Sequence, residues 1–243
     1  MIGETVSIET FNELNDAVQK LAAKNWQEFR STTSNAAFRG EKSAQFQTRL
    51  TPKLGRIKKF KYKGMGKDKG KRILRYFKDR AIPFLDRIPQ NRWEWLGIAQ
   101  HHGLPTMLLD WTRNPLVAAY FAVEEAYKGD SVIYIYTRKY IDTNDLENPF
   151  ELTTVEKFFL PHLTPRIKAQ SGLFTIHPDP KESLEEAVIR QENSGILDRI
   201  IIKSKFRKPL KKLLSLYGFN RASLFPDLDG ISKYIEWELT DVY

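Results

Sequence analysis

The sequence contains no cysteine, which excludes disulfide bonds, cysteine-ligated zinc or iron–sulfur centres and a thiol nucleophile. It also has no apolar run of the roughly 18 residues that a membrane-spanning helix needs. Residues 1–11 lack the basic-then-apolar order of a signal peptide. The absence of cysteine is compatible with a reducing compartment, and we therefore expect a cytoplasmic protein that does not engage a membrane.

Histidine is scarce as well, with four residues in the chain. His101 and His102 are adjacent and point in different directions, so they cannot form the i, i+4 pair of a zinc-binding helix. His162 and His177 have no companion at ligand spacing. We expect no metal site.

The chain does have enough apolar sequence for one sizeable core, because 41% of its 243 residues are hydrophobic and no long linker divides it. We expect a single domain over residues 1–243, with an N-terminal helix at about 10–24 and a basic, flexible insertion at about 53–80. Strands and helices alternate irregularly, which favours an α+β fold. The main predicted strands are 35–39, 45–50, 107–109, 131–136, 173–176 and 199–202, and the main predicted helices are 69–84, 90–101, 114–126, 181–190 and 209–216.

Positive charge is concentrated in one segment. Residues 53–80 contain 13 Lys and Arg against Asp68 and Asp79, a net +11 within a chain of net charge +9. Aromatic residues lie among these cations, so the segment is suited to a phosphate backbone and to base stacking. The alternative is a solvated surface. The candidate nucleic-acid-binding residues are Lys58, Lys59, Lys61, Lys63, Lys71 and Arg72.

The glycines of this segment do not form a nucleotide-binding P-loop. Gly66 and Gly70 are separated by three residues instead of four, and Arg72 follows Lys71 where the motif requires Ser or Thr. We interpret residues 64–71 as a flexible loop. A second basic cluster, residues 203–212, contains six Lys and Arg and no acid.

Residues 97–122 combine polar side chains with an apolar frame. Gly103 and Pro105 break a helical pattern, so that residues 107–109 form a short strand and residues 110–114 a turn. Asn114 is suited to cap the next helix, and Pro115 to occupy its first position. A helix N-terminus favours an anion such as phosphate. The alternative is a capping Asp110 beside a core Trp111.

Three motifs in this order resemble the FRG domain family, which takes its name from a Phe-Arg-Gly triplet. Here the triplet is residues 38–40. The central block is Gln100-His101-x-Gly103-Leu104-Pro105-Thr106, followed by Leu108-Leu109-Asp110-Trp111-Thr112 and Asn114-Pro115; the later motif is Arg166-Ile167 with Gln170-x-Gly172-x-Phe174. The resemblance covers about residues 35–180.

FRG domains in turn resemble, more faintly, the arginine-type ADP-ribosyltransferases. That resemblance implies a split sheet of short strands surrounded by helices, with NAD bound as a substrate between two small sheets. It implies that Arg39 grips an NAD phosphate and that residues 110–112 lie in the cleft. The catalytic glutamate of those enzymes is missing, and Gln170 stands nearest to its place.

Two functions remain open at this stage. One is an NAD-dependent ADP-ribosyltransferase that acts on or with nucleic acid, and the other is a non-catalytic nucleotide- or nucleic-acid-binding module. A role in phage–host conflict is compatible with either function, by association only. The sequence does not indicate an oligomeric state. The candidate catalytic residues are Asp110, Gln170 and His101, and the candidate cofactor-binding residues are Arg39, Gly40, Trp111, Thr112 and Asn114.

Overall fold

The computed structural model describes residues 1–29, 35–45, 50–61, 66–143, 148–160, 164–191 and 195–240. Its strands are β1 (Ile2–Ile8), β2 (Ala36–Glu41), β3 (Leu108–Thr112), β4 (Ser131–Thr137), β5 (Glu156–Phe158), β6 (Gly172–Ile176) and β7 (Ile196–Ile202). They form one open sheet in the order β1-β7-β4-β2-β3-β6-β5. Only β1 and β7 pair in parallel, and the other neighbours are antiparallel.

The described residues also form helices, which pack around this sheet. They are α1 (Phe11–Phe29), α2 (Gly66–Ala81), α3 (Arg92–His101), α4 (Pro115–Val123), α5 (Pro165–Ala169), α6 (Leu184–Arg190), α7 (Ser204–Leu216), α8 (Arg221–Leu224) and α9 (Leu228–Leu239), with 3-10 turns at Ile82–Phe84 and Pro149–Glu151. None of them is long and apolar enough to cross a membrane. The predicted mixed fold of helices and short strands is confirmed.

Two groups of helices cover one face of the sheet. On the β1-β7-β4-β2 part, α1, α4 and α7 bury side chains such as Leu14, Ala118 and Leu210. On the β3-β6-β5 part, α2 and α3 bury others such as Leu74 and Trp93. The opposite face carries a third cluster, to which α6 contributes. A gap between the two helix groups lies over the boundary of β2 and β3.

Pairing across that boundary is sparse, since Phe38 opposite Thr112 is the one recorded pair between β2 and β3. In contrast, β2 pairs with β4 along its whole length, from Ala36 to Glu41. The two parts of the sheet are therefore joined at a narrow contact.

Gly40 explains the third residue of the Phe-Arg-Gly triplet. A Cβ atom at this position would lie 1.8 Å from the carbonyl oxygen of Ala118 and 2.6 Å from the amide nitrogen of Ala122. Since those are backbone atoms of α4, they cannot rotate away. Glycine is required here because β2 packs directly on α4.

The second basic cluster is partly structural. Arg207 is fully buried and donates to the carbonyl oxygens of Ala122, Glu125 and Tyr127, while Nζ of Lys211 donates to that of Glu124. These cations satisfy carbonyl groups at the C-terminus of α4, where the helix dipole is negative. The predicted start of this helix at Pro209 was wrong, because α7 begins at Ser204.

The basic segment is more ordered than its composition suggested. The predicted loop over residues 64–71 was wrong from Gly66 onward, where α2 begins. Phe77 packs edge-to-face on Trp95, and Phe60 packs against the same core, so both rings are half-buried and take part in packing. Tyr76 is 38% exposed. Lys63 and most of the predicted strand at 45–50 lie outside the described residues.

Candidate functional site

A cleft of about 560 Å³ opens over the β2–β3 boundary. Its walls come from β2, α3, β3, α4 and α5. The sequence-predicted residues that line it are Arg39, Gly40, His101, Asp110, Trp111, Thr112 and Gln170. The predicted candidates are thus brought together, although they are far apart in sequence, and Asn114 is not among the lining residues.

Strand alternation decides how residues 110–112 face the cleft. The predicted turn at residues 110–114 was wrong, because Asp110, Trp111 and Thr112 pair with Phe174, Leu173 and Gly172 as part of β3. Successive side chains of a strand point to opposite faces. Asp110 is exposed in the cleft, whereas the Trp111 side chain is 3% exposed, belongs to the core of the opposite face and donates from Nε1 to Oγ1 of Thr175 at 3.0 Å. The Trp111 ring is therefore turned away from the cleft that this residue lines, and cofactor binding by Trp111 stays a prediction.

The side chain of Asp110 is held by residues of the Gln100–Thr106 block that precedes it in the chain. Nε2 of Gln100 donates to Oδ2 of Asp110 at 2.8 Å, and Oγ1 of Thr106 donates to Oε1 of Gln100 at 2.5 Å. Oγ1 of Thr106 also accepts from the amide of Leu108. The Gln100 amide thereby fixes one carboxylate oxygen of Asp110, and Oδ1 accepts no hydrogen bond from the described residues. Sequence reasoning did not identify Gln100 and Thr106 as positioning residues.

Asp110 does not cap a helix, which removes the alternative considered for it. Oδ1 of Asn114 accepts from the amide of Leu116 at 2.9 Å and caps α4, with Pro115 next in the chain, as the sequence predicted. Thr112 is also engaged, since its hydroxyl donates to the carbonyl of Gln170 at 2.7 Å and accepts from the Asn114 amide at 3.0 Å. Thr112 thus stabilises the cleft wall, and Asn114 stabilises the start of α4 beside it.

Arg39 bridges the narrow junction of the sheet. Its guanidinium donates to Glu41 from Nε at 3.0 Å and approaches the same carboxylate oxygen from Nη2 at 2.7 Å. Nη1 donates to the backbone carbonyl of Asp110 at 2.7 Å. Arg39 therefore links β2 to the strand that carries Asp110, and its pairing with Glu41 competes with the predicted grip on a phosphate.

Gln170 directly follows α5 and lines the cleft. Its Nε2 donates to the carbonyl of Leu224 in α8 at 3.0 Å. The amide is therefore used to join α5 and α8. It supplies no negative charge to the cleft.

One family model matches part of the chain. Residues 34–131 match the model of the FRG domain. No curated protein and no solved structure gives a significant match. The matched segment contains β2, α2, α3, β3 and α4, and hence Arg39, Gln100 and Asp110, whereas Arg166 and Gln170 lie beyond it.

The cleft is completed by two arginines that sequence reasoning did not select as ligand-binding residues. Arg56 and Arg166 both line it, and neither has an acidic partner within 4.0 Å in the part of the chain that the structure describes. Arg166 is half-buried and stacks on the Phe225 ring, 4.3 Å from its centroid. Burial lowers the pKa of Arg166, while Asp110 raises it. A half-buried guanidinium without an ionic partner is suited to an anionic ligand.

His101 lies at the end of α3 in the same cleft. Burial lowers its pKa, the charges of His102 and Arg166 lower it further, and Asp110 and Asp227 oppose the shift. His101 is therefore neutral at pH 7 and able to accept a proton. Its Nδ1 lies 3.4 Å from Oγ1 of Thr164.

The candidate nucleic-acid-binding residues lie outside the cleft lining. Lys58, Lys59, Lys61, Lys71 and Arg72 are exposed. Arg56, from the same basic segment, does line the cleft. The basic surface, defined here as Lys58, Lys59, Lys61, Lys71 and Arg72, thus shares a segment with one wall of the site.

Proposed function

We propose that the cleft binds NAD and that the protein is an NAD-dependent ADP-ribosyltransferase-like enzyme in which Asp110 replaces the missing glutamate. The observation that carries this proposal is the unpaired state of Asp110. Four acids line the described cleft wall, and three of them are ion-paired: Glu41 with Arg39, Glu124 with Arg221 and Glu125 with Lys42. The Asp110 carboxylate accepts one hydrogen bond from the described residues, from the neutral amide of Gln100.

The proposed chemistry follows from these charges. When the bond between nicotinamide and C1′ of the ribose breaks, nicotinamide leaves with the electron pair and positive charge develops on the ribose. A fixed carboxylate beside that charge stabilises the transition state. Arg166 and Arg56 are suited to the diphosphate. Neutral His101 is suited to take the proton of the acceptor group as it bonds to C1′.

Asp110→Asn tests this role of Asp110. Asparagine keeps an oxygen for the Gln100 hydrogen bond and loses the charge, so we expect NAD cleavage to fall about a hundredfold with little change in melting temperature. The measurement is release of nicotinamide from NAD in the presence of candidate acceptors. Glu125→Gln is the matched control, since it removes a cleft carboxylate that is already paired with Lys42. Undiminished cleavage by Asp110→Asn would contradict the proposal.

A non-catalytic nucleotide-binding module is the second candidate, and the engagement of Gln170 favours it. The residue nearest the usual catalytic glutamate is an amide, and it is bonded to the backbone of Leu224. This candidate predicts that the parent protein binds ADP-ribose but cleaves no NAD with any acceptor. The same cleavage assay therefore separates the two functions.

We also propose nucleic acid as a partner, bound through the basic surface. Counterion release by several phosphate contacts makes such binding weaken steeply with salt, with a log–log slope of about −0.9 per contact on duplex DNA. Combined replacement of Lys58, Lys59 and Lys61 by Gln is expected to flatten the slope measured in titrations at several salt concentrations. The control replaces Lys20, Lys128 and Lys181, which removes the same charge elsewhere. Equal slopes for the parent and the Lys58/Lys59/Lys61 variant would show a solvated surface only.

A further inference from the structure

A second pocket of about 230 Å³ lies beside the cleft. It is enclosed by α4, α7, α8 and α9, and Glu124 and Glu125 line both cavities. At this volume it is smaller than the roughly 300–1,000 Å³ of a pocket for a drug-sized ligand. It is therefore too small for a dinucleotide and has room for a single ring system next to the cleft.

One wall of the pocket is aromatic. Tyr234 and Trp237 of α9 both line it, with ring centroids 6.0 Å apart and planes inclined by 39°. Both side chains are half-buried. Nζ of Lys211 lies over the Trp237 ring, 5.1 Å from its centroid, and covers part of it. The exposed remainder of the two rings is the surface available to a planar ligand, since α9 is sparsely packed, with Gly230 as its one buried residue.

Part of the charge inside the pocket is paired. Arg221 pairs with Glu124, and Nζ of Lys211 donates to the backbone carbonyl of Glu124 at 2.8 Å. Burial lowers the pKa of Lys211 to about 8. The lining acids Glu124, Glu125 and Glu236 equal the lining cations Lys211, Arg221 and Lys233 in number, so the lining has no net charge, which favours a neutral planar group over an ion.

The rim carries unshared positive charge. Lys233 lines the pocket and is exposed. Lys208 and Lys212 are exposed on the same side of α7 as the lining residues Lys211 and Ser215, since positions three and four apart on a helix are neighbours. The charge of Lys208 also acts on Lys211. A neutral aromatic pocket with a lysine rim combines a stacking surface with phosphate-binding groups, the combination used for single-stranded nucleic acids.

We propose that this pocket takes one unpaired nucleobase of a single-stranded nucleic acid, stacked on Trp237 and Tyr234, with the flanking phosphates on Lys208, Lys212 and Lys233. The shared wall at Glu124 and Glu125 places that nucleotide next to the cleft. A role for the bound nucleotide as the acceptor of ADP-ribose rests on the proposed function. Binding of the base itself requires neither NAD nor catalysis.

The experiment compares strands that differ only in their bases. Single-stranded DNA and RNA of about 12 nucleotides, and abasic strands of the same length and charge, are titrated against the full chain without NAD. We expect the parent to bind at least one base-bearing strand about tenfold more tightly than its abasic counterpart. Trp237→Ala is expected to abolish this preference, and Trp237→Phe, which keeps a ring, to retain most of it.

Two controls separate stacking from charge and from folding. Leu239→Ala changes an apolar residue of the same helix, and the variant is expected to keep the preference because Leu239 is 77% exposed. Replacement of Lys208 and Lys212 by Gln is expected to weaken both kinds of strand equally. Equal affinity of the parent for base-bearing and abasic strands, or an unchanged preference in Trp237→Ala, would overturn the proposal. A protein with the preference but without NAD cleavage would keep the pocket and lose the proposed enzyme activity.

Discussion

On the β2–α4 wall of the cleft each charged side chain is neutralised in place, whereas on the β3–α5 wall Asp110 and Arg166 have no ionic partner among the described residues. The first wall contains the pairs Arg39–Glu41 and Lys42–Glu125. It also contains the close backbone contact of Gly40 with α4. On the second wall, neutral groups hold the charged ones: Gln100 holds Asp110, and the Phe225 ring supports Arg166.

This difference indicates a division of labour. An ion-paired side chain can bind a ligand only if its existing ion pair breaks. We therefore infer that the β2–α4 wall mainly stabilises the fold. Arg166 is half-buried as well as unpaired, which is unfavourable in the absence of a ligand, and a protein retains such a group where binding or catalysis uses it. We therefore expect changes on the first wall to lower stability and changes on the second wall to lower ligand affinity.

The largest effect is expected from Gly40→Ala. The new Cβ would lie 1.8 Å from the Ala118 carbonyl oxygen, so β2 and α4 must separate. We expect the free energy of unfolding to fall by about 3 kcal/mol or more, measured by urea denaturation. Gly218→Ala is the control, since Gly218 has φ +83° but no atom within 4 Å of a built Cβ, and its cost is expected to be about 1 kcal/mol. Equal losses in the two variants would mean that Gly40 has no special packing role.

Low pH is expected to reduce the free energy of unfolding because of His177. This side chain is completely buried behind the sheet, and burial lowers its pKa to about 3. Below about pH 6.5 the unfolded chain binds a proton that the folded chain does not, so stability falls as pH decreases. The contribution is about 1.4 kcal/mol per pH unit and continues down towards pH 3.

Urea denaturation at pH 7, 6 and 5 measures this dependence. His177→Gln removes the titrating group, and its stability is expected to fall less steeply with decreasing pH than that of the parent. His101 and the carboxylates titrate in both proteins and cancel from the difference. Parallel pH profiles for the two proteins would show that His177 does not carry the effect.

Local chemistry made part of the site predictable. Asn114 and Pro115 fixed the start of α4, because capping depends on neighbouring residues alone. The ordered motifs brought Arg39, His101 and Asp110 to one cleft. The end of β3 was less predictable, because its last residues are strand only through pairing with β6. Since residues 110–112 continue the strand, the Trp111 side chain points to the face opposite Asp110.

The roles of several residues depend on partners distant in sequence. Gln170 is bound to Leu224, and Arg39 reaches the Asp110 carbonyl 71 residues away. Arg166 stands out only once the structure shows that no acid of the described chain pairs with it. β1 escaped prediction as well, because its alternation is weak and it is defined by pairing with β7.

Titration of ADP-ribose into Arg166→Gln and Arg39→Gln, with urea denaturation of both, tests the division between the two walls most directly. The account predicts that Arg166→Gln weakens ADP-ribose about tenfold or more with nearly unchanged stability, because a charge-assisted hydrogen bond of about 1.5–3 kcal/mol is lost. It predicts that Arg39→Gln lowers the free energy of unfolding by about 1–2 kcal/mol and changes affinity far less. The reverse pattern, with affinity lost in Arg39→Gln and retained in Arg166→Gln, would contradict the account.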